Sequence, residues 1–396
     1  MKDYFNYKTK KRRKFKMKGD FCFNSVGQGL FYSGFITKNN GEHFSIVYDC
    51  GTLSSDTSIC KSIEIFNDMM GNKNIDLLII SHFDSDHINH LKKLLEGKTI
   101  GVAVIPYFTF GEMLQFVDLS SDVPEKEFYA NYVSYFKDKK AIVIELGNCN
   151  DEIVLDFETI SEHDIESSFH PKKLTLKAYD WEFLFYNIKA CSKDVDEYVY
   201  FIENLMNETH KEPIEILSDK ECLKKIKERT PIKKSNNNSI ILYHGPIIDE
   251  QMSRNKCITC SSFINETCLF CKNSADRLYI LMNNCCPKIH FNSYSQSIGT
   301  LLTGDLECFD EKALEIECFI GEKRYLNINY FQVPHHGSEC LKKQYNFHNY
   351  VISCETPPNK YNHPSPKTIC IIEQTKGNII HYANQEMNYT YNIIFP

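Results

Sequence analysis

Short apolar runs separated by glycine-bearing turns dominate the first hundred residues. Phe21 to Val26, Leu30 to Ile36 and His43 to Tyr48 read as successive strands, with Gly27, Gly29 and Gly51 marking the turns. Residues 58 to 70 place apolar side chains at helical spacing. Ile75 to Ile80 then forms a nearly continuous apolar run, the pattern of a parallel strand covered on both faces. A helix over 88 to 96 and a strand over Ile100 to Ile105 follow. Strands alternating with helices in this way predict α/β layers.

The middle of the chain, 106 to 235, is patterned but chemically quiet. Phe108, Tyr129, Tyr132, Tyr135 and Phe136 suit helix cores, Leu174, Leu176, Trp181, Phe183 and Phe185 suit strands, and 193 to 229 reads as one or two charged helices. Apolar strands return at Ile240 to Tyr243, Arg277 to Met282, Ile298 to Thr303, Tyr330 to Val333 and Val351 to Cys354.

Chemistry concentrates where these strands end. Directly after Ile80 come Ser81, His82, Asp84, Asp86 and His87, within IDLLIISHFDSDHINHL. Two imidazoles and two carboxylates in six positions repel or desolvate one another in a plain core, whereas a divalent cation supplies the charge the carboxylates face. A polar surface loop is the alternative reading. Later strand ends deliver Asp305 in LLTGDLE, His335 and His336 in VPHHGS, and His363 in NKYNHP. Singly, a carboxylate after a strand is commonly a turn residue and a lone histidine a satisfied core residue. Jointly they lie along the sheet edge at which α/β folds bind ligands.

Composition narrows the class. The 396 residues are 42% hydrophobic and 24% charged, as in ordinary globular protein, and the formal net charge is −7, so any attraction to nucleic acid must come from a local patch. The candidate patch is KTKKRRKFKMK within residues 1–18, a solvated basic tail or a phosphate-attracting arm. No run has transmembrane length and no apolar segment follows the basic residues as in a signal peptide, so a cytoplasmic protein is expected, with no membrane partner. Seventeen cysteines, an odd number that includes Cys22, Cys50 and Cys370 in apparently buried strands, fit reduced thiols. Cys257, Cys260, Cys268 and Cys271 stand apart as two C-x2-C pairs, the spacing of a structural zinc site that would pin an insertion at 250–275.

In order and spacing, NSVGQG (24–29), VYDCGT (47–52), SHFDSDH (81–87), NNNSIIL (236–242), LLTGDLE (301–307), VPHHGS (333–338) and NKYNHP (359–364) resemble the metallo-β-lactamase superfamily. Within it they resemble the branch typified by the hydrolase domain of the bacterial DNA-uptake channel protein ComEC. The resemblance implies an αββα sandwich spanning 19–396, with a variable helical region at 106–235 and two active-site metal ions, Zn²⁺ or Mn²⁺. It implies His82 and Asp84 on one ion, Asp86, His87 and His335 on the other, and Asp305 between them. Asp86 would also orient the attacking water. His336 would support the ligands or contact a phosphate, His363 would contact the substrate or leaving group, and Asp49, Asn238 and Ser239 would support the ligands. Several positions depart from the branch pattern: Leu30 replaces an acidic residue, and Asn89 and His90 replace a glycine pair. The mid-chain histidine of the lactamases is absent.

The activity implied is phosphodiester hydrolysis, as a nuclease or phosphodiesterase acting on nucleic acid, with possible partner proteins. Two other readings stay open: a hydrolase of a small ester, lactone, thioester or β-lactam, and a zinc-stabilised interaction module without catalysis.

Overall fold

Two mixed eight-stranded sheets stack face to face, with helices against both outer faces. This computed structural model describes residues 17–71, 73–117, 123–147, 154–161, 173–188, 193–229, 239–247, 258–264, 298–375 and 377–395. In chain order the strands are β1 (Met17–Phe23), β2 (Tyr32–Lys38), β3 (His43–Tyr48), β4 (Ile75–Ile79), β5 (Ile100–Pro106) and β6 (Ile142–Leu146) in the first sheet. Next come β7 (Val154–Asp156), β8 (Lys173–Leu176), β9 (Trp181–Ile188) and β10 (Ser239–Pro246) in the second. β11 (Ile258–Ile264) returns to the first sheet. β12 (Gly299–Leu302), β13 (Ile328–Gln332), β14 (Asn349–Ser353) and β15 (Ile379–Ala383) extend the second, and β16 (Asn388–Phe395) closes on the first.

The spatial order is β11-β16-β1-β2-β3-β4-β5-β6 in one sheet and β15-β14-β13-β12-β10-β9-β8-β7 in the other. Strands β3 to β6 run parallel, as do β12 to β15. Parallel strands aim their carboxyl ends the same way, so the loops after β3, β4, β12, β13 and β14 gather at one rim of the sandwich.

Alternation along β4 shows how the layers are held. Leu77 and Ile79 point between the sheets, among Tyr32, Phe183, Ile240 and Tyr330. Leu78 and Ile80 point outward, in one cluster with Ile59, Ile63 and Phe66. Both faces are buried, which is why this strand lacks the polar alternation of an edge strand. Each such side chain contributes about 1.5–3 kcal/mol on burial.

The helix over the first sheet, α1 (Asp56–Met70), starts at Ser55, whose hydroxyl accepts the Thr57 N–H, and stops at Gly71 with φ 62°. The single turns α2 (Ser85–Ile88), α3 (Leu91–Leu94) and α4 (Phe110–Met113) share its layer, with α5 (Val123–Ala130), α6 (Tyr132–Asp138), α7 (Lys193–Thr209), α8 (Pro213–Ser218) and α9 (Lys220–Arg229). Over the second sheet lie α10 (Phe309–Ile320), α11 (Glu322–Tyr325) and α12 (Pro366–Glu373). The expected αββα sandwich is therefore present.

Several expectations shift. The helix expected over 88–96 is two separate turns, because the Asp86 carbonyl accepts the Leu30 N–H at 3.1 Å and the His90 N–H turns to the Cys50 carbonyl at 3.1 Å. The intrahelical ladder is broken at that point. Cys370, expected in a buried strand, is exposed on α12. The strand expected at Arg277 to Met282 lies outside the described residues. Among those described, no helix is long and apolar enough to cross a membrane.

Candidate metal centre

Three histidines at the rim share one hydrogen-bond logic. Asp49 follows β3 with a left-handed φ of 58°, a conformation that short acidic side chains tolerate. Its Oδ1 accepts the Ser81 N–H at 2.7 Å and its Oδ2 accepts the Ser81 hydroxyl at 2.5 Å. The same Oδ2 lies 2.7 Å from His87 Nδ1. With the Ser81 proton committed to Asp49, Ser81 Oγ is the acceptor for His82 Nδ1 at 2.8 Å. His336 Nδ1 donates to the Ser353 carbonyl at 2.8 Å. In each ring an acceptor thus holds a proton at Nδ1, so Nε2 is the nitrogen whose proton a metal ion would displace.

Those Nε2 atoms meet carboxylates. His87 Nε2 is 3.1 Å from Asp305 Oδ1, and His336 Nε2 is 3.2 Å from Asp86 Oδ2 and 3.4 Å from Asp305 Oδ2. One ligand atom from each of Asp86, His87, Asp305 and His336 falls within 4.8 Å of all the others. His82 Nε2 is 3.5 Å from Asp84 Oδ2, and the His82 and His87 rings are 4.0 Å apart. His82 Nε2, His87 Nε2 and Asp305 Oδ1 are buried and make no hydrogen bond. Buried polar atoms are ordinarily satisfied, so His82 Nε2 without a partner, beside His87 Nε2 and Asp305 Oδ1 that have only each other at 3.1 Å, fits a site for a divalent cation among nitrogen and carboxylate donors.

The electrostatics agree. Burial lowers the His87 pKa, but Asp305 and Asp49 more than reverse this and hold it well above the usual value. Burial opposes charge on His336 too, and Asp305 and Asp86 push it up to about 10. For Asp305 burial favours the neutral acid, yet His336 and His87 hold it well below the usual range. Asp86 is likewise lowered, burial being overcome by the His336 hydrogen bond and His87. This geometry stabilises positive charge at its centre, carried by protons or by a metal ion.

Backbone contacts make the rim stiff. Gly29 sits against the metal loop so closely that a Cβ would lie 2.3 Å from the Gly51 carbonyl oxygen and 2.8 Å from that of Asp86. The Cys50 N–H donates to the His87 carbonyl at 2.7 Å. On the other sheet, His335 and His336 both adopt left-handed φ, 46° and 53°, so the chain turns sharply between them. That turn separates their fates. His336 is 2% exposed and joins the cluster, whereas His335 faces Glu307, 3.2 Å from Nδ1 to Oε1, with its Nε2 4.0 Å from Asp305. Where His335 is the expected ligand and His336 the expected supporting or phosphate-contacting residue, the His336 ring lies among the ligand atoms and His335 at the margin.

The remaining expected residues fall as follows. Asp84 caps α2 and is partly exposed beside His82. Ser239 is buried, with its hydroxyl oxygen about 3.0 Å from where a Cβ on Gly304 would lie, next to Ser81. The His363 ring lies 5.3 Å from His335 and 6.3 Å from His336, and burial and those two imidazoles lower its pKa to about 4. Asn238, Cys257, Cys268, Cys271, the Cys260 side chain and most of the basic tail lie outside the described residues. Ser81 and Ser353 hold the rings without having been expected to, and Gln28 Nε2 lies 3.3 Å from His363 Nδ1. Ser81 had a signal, its place between the strand and the first histidine; Ser353 and Gln28 become neighbours of the site only through the fold.

Comparison with known proteins adds little. No protein-family description matches the chain, and no curated protein matches it. Solved structures with similarity include a crystal structure of a long form RNase Z from yeast, 10% identical, covering 98% of this chain and 42% of that one, with a TM-score of 0.34. This chain thus spans less than half the length of that protein.

Proposed function

We propose that this chain is a divalent-metal-dependent hydrolase of phosphodiesters, with nucleic acid as its substrate class. The observation that carries the reading is the meeting of Asp86, His87, Asp305 and His336 within 4.8 Å, with buried ligand atoms left unsatisfied. Asp86, His87, Asp305 and His336 would hold one ion. His82 and Asp84, with Asp305 shared, would hold a second. A mixed imidazole and carboxylate set suits Zn²⁺ and Mn²⁺ alike. Bound there, such ions lower the pKa of water, polarise a phosphoryl oxygen and stabilise a leaving group.

The protein's own residues supply the rest. Asp49, Ser81 and the Ser353 carbonyl fix ring orientation and tautomer. Asp86, kept ionised by the His336 hydrogen bond and by His87, would orient an attacking water. His335 and His363 border the cluster and would contact the phosphoryl group. The ordered motifs shared with the ComEC-like branch support a phosphodiester over a small ester. In the same reading residues 1–18 form a basic arm before a catalytic unit at 19–396, and Cys257, Cys260, Cys268 and Cys271 hold a structural zinc.

The test is turnover by purified protein with Mn²⁺ or Zn²⁺ on single- and double-stranded DNA, RNA and a chromogenic phosphodiester, beside an Asp86→Ala/His87→Ala variant. Metal-dependent cleavage by the wild type alone supports the proposal. Lactone or β-lactam turnover without phosphodiester cleavage, or no turnover of any substrate, overturns it.

A further inference from the structure

His363 stands beside the three inward-facing histidines but is wired the opposite way. The Nδ1 atoms of His82, His87 and His336 each face an acceptor and so carry a proton. His363 Nδ1 instead faces an amide donor, Gln28 Nε2, at 3.3 Å. A ring nitrogen that accepts a hydrogen bond carries no proton. In a neutral imidazole the proton then resides on Nε2.

Both partners are held by their main chains. Gln28 lies between Gly27 and Gly29, which have φ of 73° and 151°. Its N–H donates to Ser54 Oγ at 2.9 Å, and its carbonyl accepts from Leu53 N–H at 2.6 Å and Thr52 Oγ at 3.1 Å. The Ser353 hydroxyl donates to the Gly29 carbonyl at 2.8 Å, which ties this turn to the residue that orients His336. On the other side, Asn359 Oδ1 accepts the His363 N–H at 3.2 Å and Asn359 Nδ2 donates to the His363 carbonyl at 2.5 Å. Gln28 is 2% exposed, so it does not reach a substrate, and its Oε1 is buried without a hydrogen bond.

We infer that Gln28 is a positioning residue that fixes His363 in its Nε2-protonated tautomer, so that His363 serves the centre as a neutral hydrogen-bond donor to a phosphoryl oxygen and not as a metal ligand. The role of the donor rests on the phosphodiesterase reading. The tautomer does not.

The experiment separates the two. In protein labelled with ¹⁵N-histidine at pH 7.5, long-range ¹H–¹⁵N correlations report which ring nitrogen of His363 bears hydrogen, with assignment by loss of the signal in His363→Gln. The expected wild-type pattern is Nε2–H, and Gln28→Glu, whose carboxylate accepts where the amide donated, should convert it to a ring protonated at Nδ1. With a phosphodiester substrate, Gln28→Glu should lower kcat on the order of 10²-fold with KM within about threefold, as for loss of one oriented donor, while metal content stays unchanged. A wild-type ring protonated at Nδ1, or a pattern that Gln28→Glu leaves unaltered, overturns the inference. Absence of any phosphodiesterase activity sinks the donor role and the proposed function together, and the tautomer is still decided by the spectrum.

Discussion

Two buried histidine environments in this protein respond to the same burial in opposite ways. His244, on β10 between the sheets, packs against Phe21, Trp181 and Phe183 and contacts Tyr32 Oη at 2.8 Å. No carboxylate opposes its desolvation, and burial pushes its pKa down to about 3. His336 is as deeply buried, yet Asp305 and Asp86 raise it to about 10. Burial alone therefore makes an imidazole inert and neutral. Converging carboxylates turn the same ring into a place for positive charge. The difference sets the rim, where positive charge is stabilised, apart from the sandwich interior, which is plain core.

The largest expected effect comes from removing the carboxylate that both site histidines face. Asp305→Ala should lose metal and lower kcat/KM roughly 10³-fold or more, beyond the 10- to 100-fold typical of groups that only support a ligand. Metal content by mass spectrometry and turnover on a chromogenic phosphodiester measure both. Retained metal would show that the carboxylate is not what distinguishes His336 from His244.

The neighbouring histidines sharpen the comparison. His336→Gln should weaken metal binding on the order of 10²-fold, as for loss of a ligand, and His335→Gln should change it less than about threefold. Calorimetric titration of Mn²⁺ into the two variants distinguishes them, and equal losses would place both rings on the metal.

Asp49→Asn keeps the shape beside His87 and removes the charge. Metal affinity should fall roughly 10- to 100-fold with little change in thermal stability. An unchanged affinity would mean that the Asp49 contact only packs the rim.

The effect that lies outside the rim belongs to the core histidine. The folded pKa of His244 lies below its unfolded value of 6.5, so the unfolded chain takes up a proton that the native state refuses. Its contribution to stability is unaffected above pH 6.5 and is lost as pH falls toward about 3, by up to ~1.4 kcal/mol per pH unit. Urea unfolding at pH 6.5, 5.5 and 4.5 should show a shallower acid loss in His244→Gln than in the wild type. Identical pH slopes would contradict the buried neutral imidazole.

How much of this was legible in the sequence follows from how local each signal is. His82 to His87 stood out because six consecutive positions carry four ligand groups, and the apolar runs before Ser81, Asp305 and His335 marked the parallel strands. The choice between His335 and His336 was not legible, because it depends on two consecutive left-handed residues that send one ring inward and the next-door ring outward. The break between α2 and α3 depends on Leu30 and Cys50, which reach those backbone groups only after folding. Gln28 and His363 are 335 positions apart, so no spacing rule links them. His244 lay just past the apolar run at Ile240 to Tyr243; β10 continues through it to Pro246 and buries it on the inner face.

The most direct test of the central claim is an anomalous difference map from crystals soaked in Mn²⁺, collected where manganese scatters anomalously. The account predicts a peak bounded by Asp86, His87, Asp305 and His336. A map with those four side chains in place and no peak among them at saturating Mn²⁺ would contradict it.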